Sequence, residues 1–187
     1  MTDTTQTLPT RPVGIDAETP LKAVLYTRSD ISAVSRRQIA VVADRLRTLT
    51  ETPLVDEVQR EQWPPQQAVT TSDGTSQSAR EELLSEFEDW ASQHRVSLRP
   101  AIRREVVPSS LLGTDDSDIE IRVPVMTLAL YTTETDTEVQ GVVPYTTNPG
   151  TDEAETYTVG DWLSTVEAEA AGTVSQQVSS LEEDSTA

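Results

Sequence analysis

At 187 residues, with thirty-two Asp and Glu against fourteen Lys and Arg, the chain has a formal charge of −18 and a single lysine, Lys22. It has no cysteine, which excludes disulfides, thiolate nucleophiles and the usual structural zinc sites. The start, MTDTTQTLPTRPVG, lacks a secretory pattern, and the longest apolar stretch, Val123 to Tyr131, is far shorter than the ~20 residues of a membrane helix. The expectation is a cytoplasmic protein without a membrane partner.

In chain order, residues 1–20 are Thr-rich and read as a disordered tail. Leu21 to Arg28 is an apolar, β-branched run that predicts a central strand. Ile39, Val42, Leu46 and Leu49 then recur at spacings of three and four, predicting a helix from about Ser32 that ends near Thr52 and Pro53. Leu54 to Trp63 predicts an irregular or edge strand closed by Pro64 and Pro65. Ser78-Ala-Arg-Glu81 matches a capping box and opens a second helix whose apolar stripe is Leu83, Leu84, Phe87, Trp90 and Ala91.

Val96, Leu98 and Ile102 share a parity that predicts a third strand, interrupted by Pro100. Alternation from Ile119 onward, with a bend at Pro124, and again over Val139 to Tyr145 predicts a β-hairpin from Ile119 to Tyr145. A last short helix begins near Val159 with Thr158 as its cap and Trp162, Leu163 and Val166 facing inward. Residues 171–187 read as a disordered acidic tail. The order β-α-β-α-β-β-β-α predicts one α+β domain over 21–170, a mixed but mostly antiparallel sheet with helices packed on one face, ferredoxin-like in style.

The charge itself points to the solvent. In dilute buffer such a chain repels itself, whereas at molar salt the Debye length falls to roughly 3 Å and the repulsion is screened. Carboxylate gain with lysine loss fits the salt-filled cytoplasm of a halophile. Nine of the acids, with no base, lie in residues 151–187.

The segments EFEDWASQHRVSLRPAIRREVVPSSLLG, VPVMTLALYTTETDTEVQGVVP and TYTVGDWLSTVE, with YTRSDISAVSRRQIAVVADRLRTL near the start, resemble small acidic haloarchaeal proteins labelled helix-turn-helix domain proteins, over roughly Leu21 to Ala170. The resemblance implies DNA binding or transcription control and carries no catalytic residue set. A helix-turn-helix unit joins its two helices by a turn of about three to four residues. Here about 25 residues and a predicted strand separate the first two helical patterns.

Arginines are the most suggestive polar feature. Arg36, Arg37, Arg45 and Arg47 fall in the first helix, and Arg95, Arg99, Arg103 and Arg104 cluster between the second helix and the third strand. Guanidinium forks suit phosphates and guanine edges, so these eight are the candidate nucleic-acid contacts. The plain alternative pairs them with Asp44, Glu51, Glu88 and Asp89. Asp115, Asp116 and Asp118 lack the glycine and twelfth-position glutamate of a calcium loop and read as a solvated turn. His94, the single histidine, has no accompanying nucleophile motif and fits a helix end interacting with the dipole.

No phosphate-binding glycine loop occurs, and no metal or cofactor is expected. Trp90 and Trp162 fall on core stripes. Trp63, beside two prolines, is the candidate exposed anchor for a protein partner or homodimer. The expectation is a non-enzymatic cytosolic regulatory protein acting through binding, which the family resemblance implies is to DNA, with a protein-interaction or dimerisation module without DNA affinity as the alternative.

Overall fold

The computed structural model describes residues 21–52, 54–66, 69–70, 76–108, 117–133 and 138–183. The elements are β1 (Leu21–Thr27), α1 (Ala33–Leu49), β2 (Val55–Gln62), β3 (Val69–Thr70), β4 (Ser76–Gln77), α2 (Ala79–Gln93), β5 (Arg103–Pro108), β6 (Ser117–Arg122), β7 (Met126–Thr132), β8 (Val139–Val143), β9 (Tyr145–Thr147), β10 (Glu155–Tyr157) and α3 (Val159–Glu183). The class is α+β. A mixed four-stranded sheet runs β2-β1-β7-β8, with β1 parallel to β2 and antiparallel to β7, and β7 antiparallel to β8. Because β1 and β2 are direct neighbours, their βαβ unit is not split as in a ferredoxin-like sheet.

Every β1 residue except Lys22 is buried, so both faces of the strand are covered. On one face Tyr26 meets Phe87 of α2 with ring centroids 6.0 Å apart, and its hydroxyl lies 3.4 Å from that of Tyr131. The other parity, Leu21, Ala23 and Leu25, is equally buried, as are Leu128 and Leu130 of β7. That leaves α1 and α3, which pack on each other, to cover it. The helical layer is therefore divided between the two faces rather than gathered on one.

Local chemistry sets the helix starts. Ser32 accepts the Ser35 amide at 3.1 Å, and Ser78 and Glu81 form the expected capping box. At α3, Thr158 accepts the Asp161 amide while Asp161 accepts that of Thr158 at 2.9 Å. The expected stripes are buried, Ile39, Val42, Leu46 and Leu49 in α1, Leu84, Phe87, Trp90 and Ala91 in α2, and Trp162, Leu163 and Val166 in α3, except that Leu83 of α2 is only half-buried at the edge of the core.

Three expectations change. The run Ile119 to Tyr145 is not one hairpin: near Pro124 the chain leaves β6, which pairs with β5, and enters β7, which pairs with β1 and β8. Proline lacks the ladder donor, and the break lets one apolar run serve two sheets. Val96 to Ile102 is a turn segment joined to β9 by a single bridge between Ser97 and Thr146, and the strand there begins at Arg103. The last helix is long, since α3 continues to Glu183 through most of the segment read as a tail. Residues 1–20, Asp115 and Asp116 lie outside the described residues.

Candidate nucleic-acid interface

α1 is the most basic element of an acidic protein: it holds four arginines against Asp44 and has no acid in its first turn. Its buried stripe fixes which side chains face out. Arg36 and Arg37 are exposed and make no ion pair among the described residues. Val34 and Val41, three residues before and four after Arg37, are exposed at 65% and 58%, so these three share one flank of the helix. The other two arginines are engaged. Arg45 forms a bidentate pair with Glu167 of α3, both contacts at 2.8 Å, and Arg47 meets Asp44 at 2.9 Å. The Arg45 hydrogen bonds hold the Glu167 carboxyl below its usual range, and Glu167 raises Arg45 in return.

The second group is built around a chain reversal. Arg95 stands just past α2 with φ 58°, in the left-handed region. Its amide bonds the Ser92 carbonyl and that of Val96 bonds Ala91, the paired closure of a Schellman cap in which glycine is the usual occupant. Ser97 and Thr146 exchange backbone hydrogen bonds at 2.9 and 2.7 Å, and Leu98 and Ile102 are buried at 6% and 3%. These anchors leave Arg95, Arg99 and Arg103 exposed. Arg104 is paired with Glu88 at 3.1 Å. A cleft of about 290 Å³ beside them is lined by Glu88, Ser92, Val96, Leu98, Arg99 and Arg104.

Of the eight arginines, five therefore remain without a carboxylate among the described residues. The two groups are not brought together, because α1 covers one face of the sheet and the Arg95–Arg104 segment follows α2 on the other. The signal missed in the sequence was the pair Val34 and Val41, seven residues apart and off the buried stripe.

Trp63 is not an exposed anchor. It is 6% exposed, with ring centroids 5.6 Å from Tyr26 and 6.1 Å from Phe87, because the backbone bond from its amide to the Thr27 carbonyl draws it under α2. His94 lies over Trp90 at 5.0 Å and its Nδ1 donates to the Trp90 carbonyl at 2.9 Å, a helix-end role. Among the described residues no group of three or more His, Asp or Glu is arranged to hold a metal. No helix among them is long and apolar enough to cross a membrane.

The helix pairs differ from the bihelical DNA-binding unit. β2, β3 and β4 intervene between α1 and α2, and α1 packs instead on α3. Comparison with known proteins finds no curated protein and no solved structure that matches. A family model described as a helix-turn-helix domain matches residues 16–171, most of the chain. The chain belongs to the helix-turn-helix domain family.

Proposed function

We propose that this protein is a non-enzymatic, DNA-binding transcription regulator of a halophilic archaeon, working in a salt-filled cytoplasm and contacting DNA through α1. The carrying observation is the outer face of that helix: Arg36 and Arg37 are exposed with no ion pair among the described residues, and Arg37 shares a flank with exposed Val34 and Val41. Recognition helices place N-terminal residues against base edges, where arginine reads guanine and apolar groups meet the thymine methyl. Molar salt weakens the phosphate contribution steeply, so a face mixing guanidinium and methyl groups suits brine better than charge alone. Family membership supports the same reading.

The test is duplex DNA retention across a KCl series. The double variant R36A/R37A is expected to lose at least about tenfold in affinity, with the salt slope falling by roughly one to two. Unchanged retention and slope in that variant would end the proposal.

A protein-interaction module is the second reading, favoured by the β5–β6 hairpin. Val106 and Ile119 are direct cross-strand partners, exposed at 72% and 52%. Light scattering of V106D/I119D decides between them: loss of a dimer with DNA retention intact favours this module.

A further inference from the structure

The end of β1, the start of α2 and β6 converge on a polar cleft of about 280 Å³, lined by Arg28, Asp30, Trp63, Arg80, Glu120 and Arg122. None of its three arginines belongs to either group above. Arg28 is forked by Asp30, with Nε donating to Oδ1 at 3.1 Å and Nη2 to Oδ2 at 2.6 Å. The Asp30 side chain, the one carboxylate on Arg28 among the described residues, is 74% exposed and free to swing away. Arg122 reaches Glu105 at 3.0 Å and Glu120 at 3.9 Å.

Arg80 differs from both. Its Nε donates to the Pro64 carbonyl at 2.8 Å, and Nη1 donates to Gln66 Oε1 and to the Ile121 carbonyl, each at 3.3 Å. Its Nη2 has no acceptor among the described residues. A partly buried guanidinium whose hydrogen bonds all go to neutral acceptors is compensated only at a distance, by the Asp30 and Glu120 carboxylates, which is costly away from water. Burial lowers its pKa, and the neighbouring charge of Arg28 pushes the same way. Trp63 also lines the cleft, and its buried indole N–H has no acceptor among the described residues.

We propose that this cleft binds the phosphate group of a small free molecule. Three guanidinium groups from separate elements surround the cleft, Arg80 among them with its unused Nη2, and the buried Trp63 N–H is a further unused donor in its wall; a tetrahedral oxyanion with several acceptor oxygens suits this set better than a planar carboxylate. The cleft falls near the lower end of ligand pockets, roughly 300 to 1,000 Å³, which fits a small ligand. Asp30 holds the Arg28 fork from within the chain, so the incoming phosphate competes with it. A bound phosphate ties the end of β1 to the start of α2.

The experiment titrates inorganic phosphate into the full chain at fixed KCl, by calorimetry and by tryptophan fluorescence, with duplex DNA as a competitor. Wild type is expected to bind saturably, D30N several-fold more tightly, and R80Q at least about tenfold more weakly, the scale of one charged hydrogen bond. R36A/R37A is expected to bind phosphate as wild type does, which separates this site from the DNA-contact proposal. Should R80Q fail to fold, D30N decides alone, since its substitution is on the surface. Absence of saturable binding, or D30N binding no more tightly than wild type, overturns the proposal. So does displacement of phosphate by duplex DNA in the R36A/R37A variant.

Discussion

Arg95 offers a measurement in which backbone and side chain are separable. At φ 58° its Cβ sits where an L-residue is crowded by its own carbonyl, at a cost of about 1–2 kcal/mol. Arg95→Gly removes that crowding but gives the unfolded chain more freedom to lose, which takes back about 0.4–1 kcal/mol. The net expectation is a gain of about 0.5–1 kcal/mol, or about 1–4 °C in Tm for a chain of this size. Arg95→Ala is the control: it removes the same guanidinium but keeps the Cβ, and should not be stabilised. Urea titration of both variants reads the difference as a shift in midpoint at constant slope. Equal midpoints for the glycine and alanine variants would refute the reasoning, because the strain would then not be borne by the backbone. A non-glycine residue at such a position motivates the hypothesis of a functional constraint. DNA retention measured on the same two variants shows whether that constraint is nucleic acid.

Trp63→Ala is expected to cost about 3–5 kcal/mol in urea unfolding through the cavity left between Tyr26 and Phe87; a variant of native stability contradicts its place in the core. The Arg45–Glu167 pair joins α1 to α3 in a partly exposed setting, so Glu167→Gln is expected to cost no more than about 1 kcal/mol. Because folding lowers the Glu167 pKa, the pair's contribution is present above the unfolded carboxyl value, near 4.3, and fades as pH falls through the lower folded value. Comparing wild type with Glu167→Gln by thermal unfolding from pH 7 downward checks this, and a gap that persists unchanged into strong acid counts against it. Raising KCl from about 0.1 to about 1 M shortens screening from roughly 10 to 3 Å, so the unfolding midpoint should rise; a flat response contradicts self-repulsion as the dominant electrostatic effect.

Elements with strong periodicity were legible in the sequence. The α1 stripe, the α2 stripe with its capping box and the inward face of α3 follow from spacings of three and four. β1 was legible for a different reason, since a run apolar on both parities needs cover on both faces. The two-sided distribution of helices was implicit there, but no local pattern says which helix goes where. Val96, Leu98 and Ile102 misled because alternation over a few residues does not distinguish a strand from a turn with two anchors in the core. Trp63 misled because its burial comes from parallel pairing with β1 and from Phe87, neither of them near it in sequence. The outward arginines of α1 were legible by elimination from its buried stripe, whereas their pairing state was not: Arg45 and Glu167 are separated by 122 positions. Arg28, Arg80 and Arg122 gave no signal at all, since only tertiary folding collects them.

The outer margin of the sheet has one more consequence. β2 is a terminal strand whose exposed positions include Asp56, Glu57, Arg60 and Glu61. Strands at such margins invite another molecule to continue the ladder, and charged side chains are a standard deterrent. Growth by stacking copies strand to strand is thereby blocked on this side. Crowding the protein to high concentration in brine, where long-range repulsion no longer keeps molecules apart, should leave it dispersed rather than fibrillar.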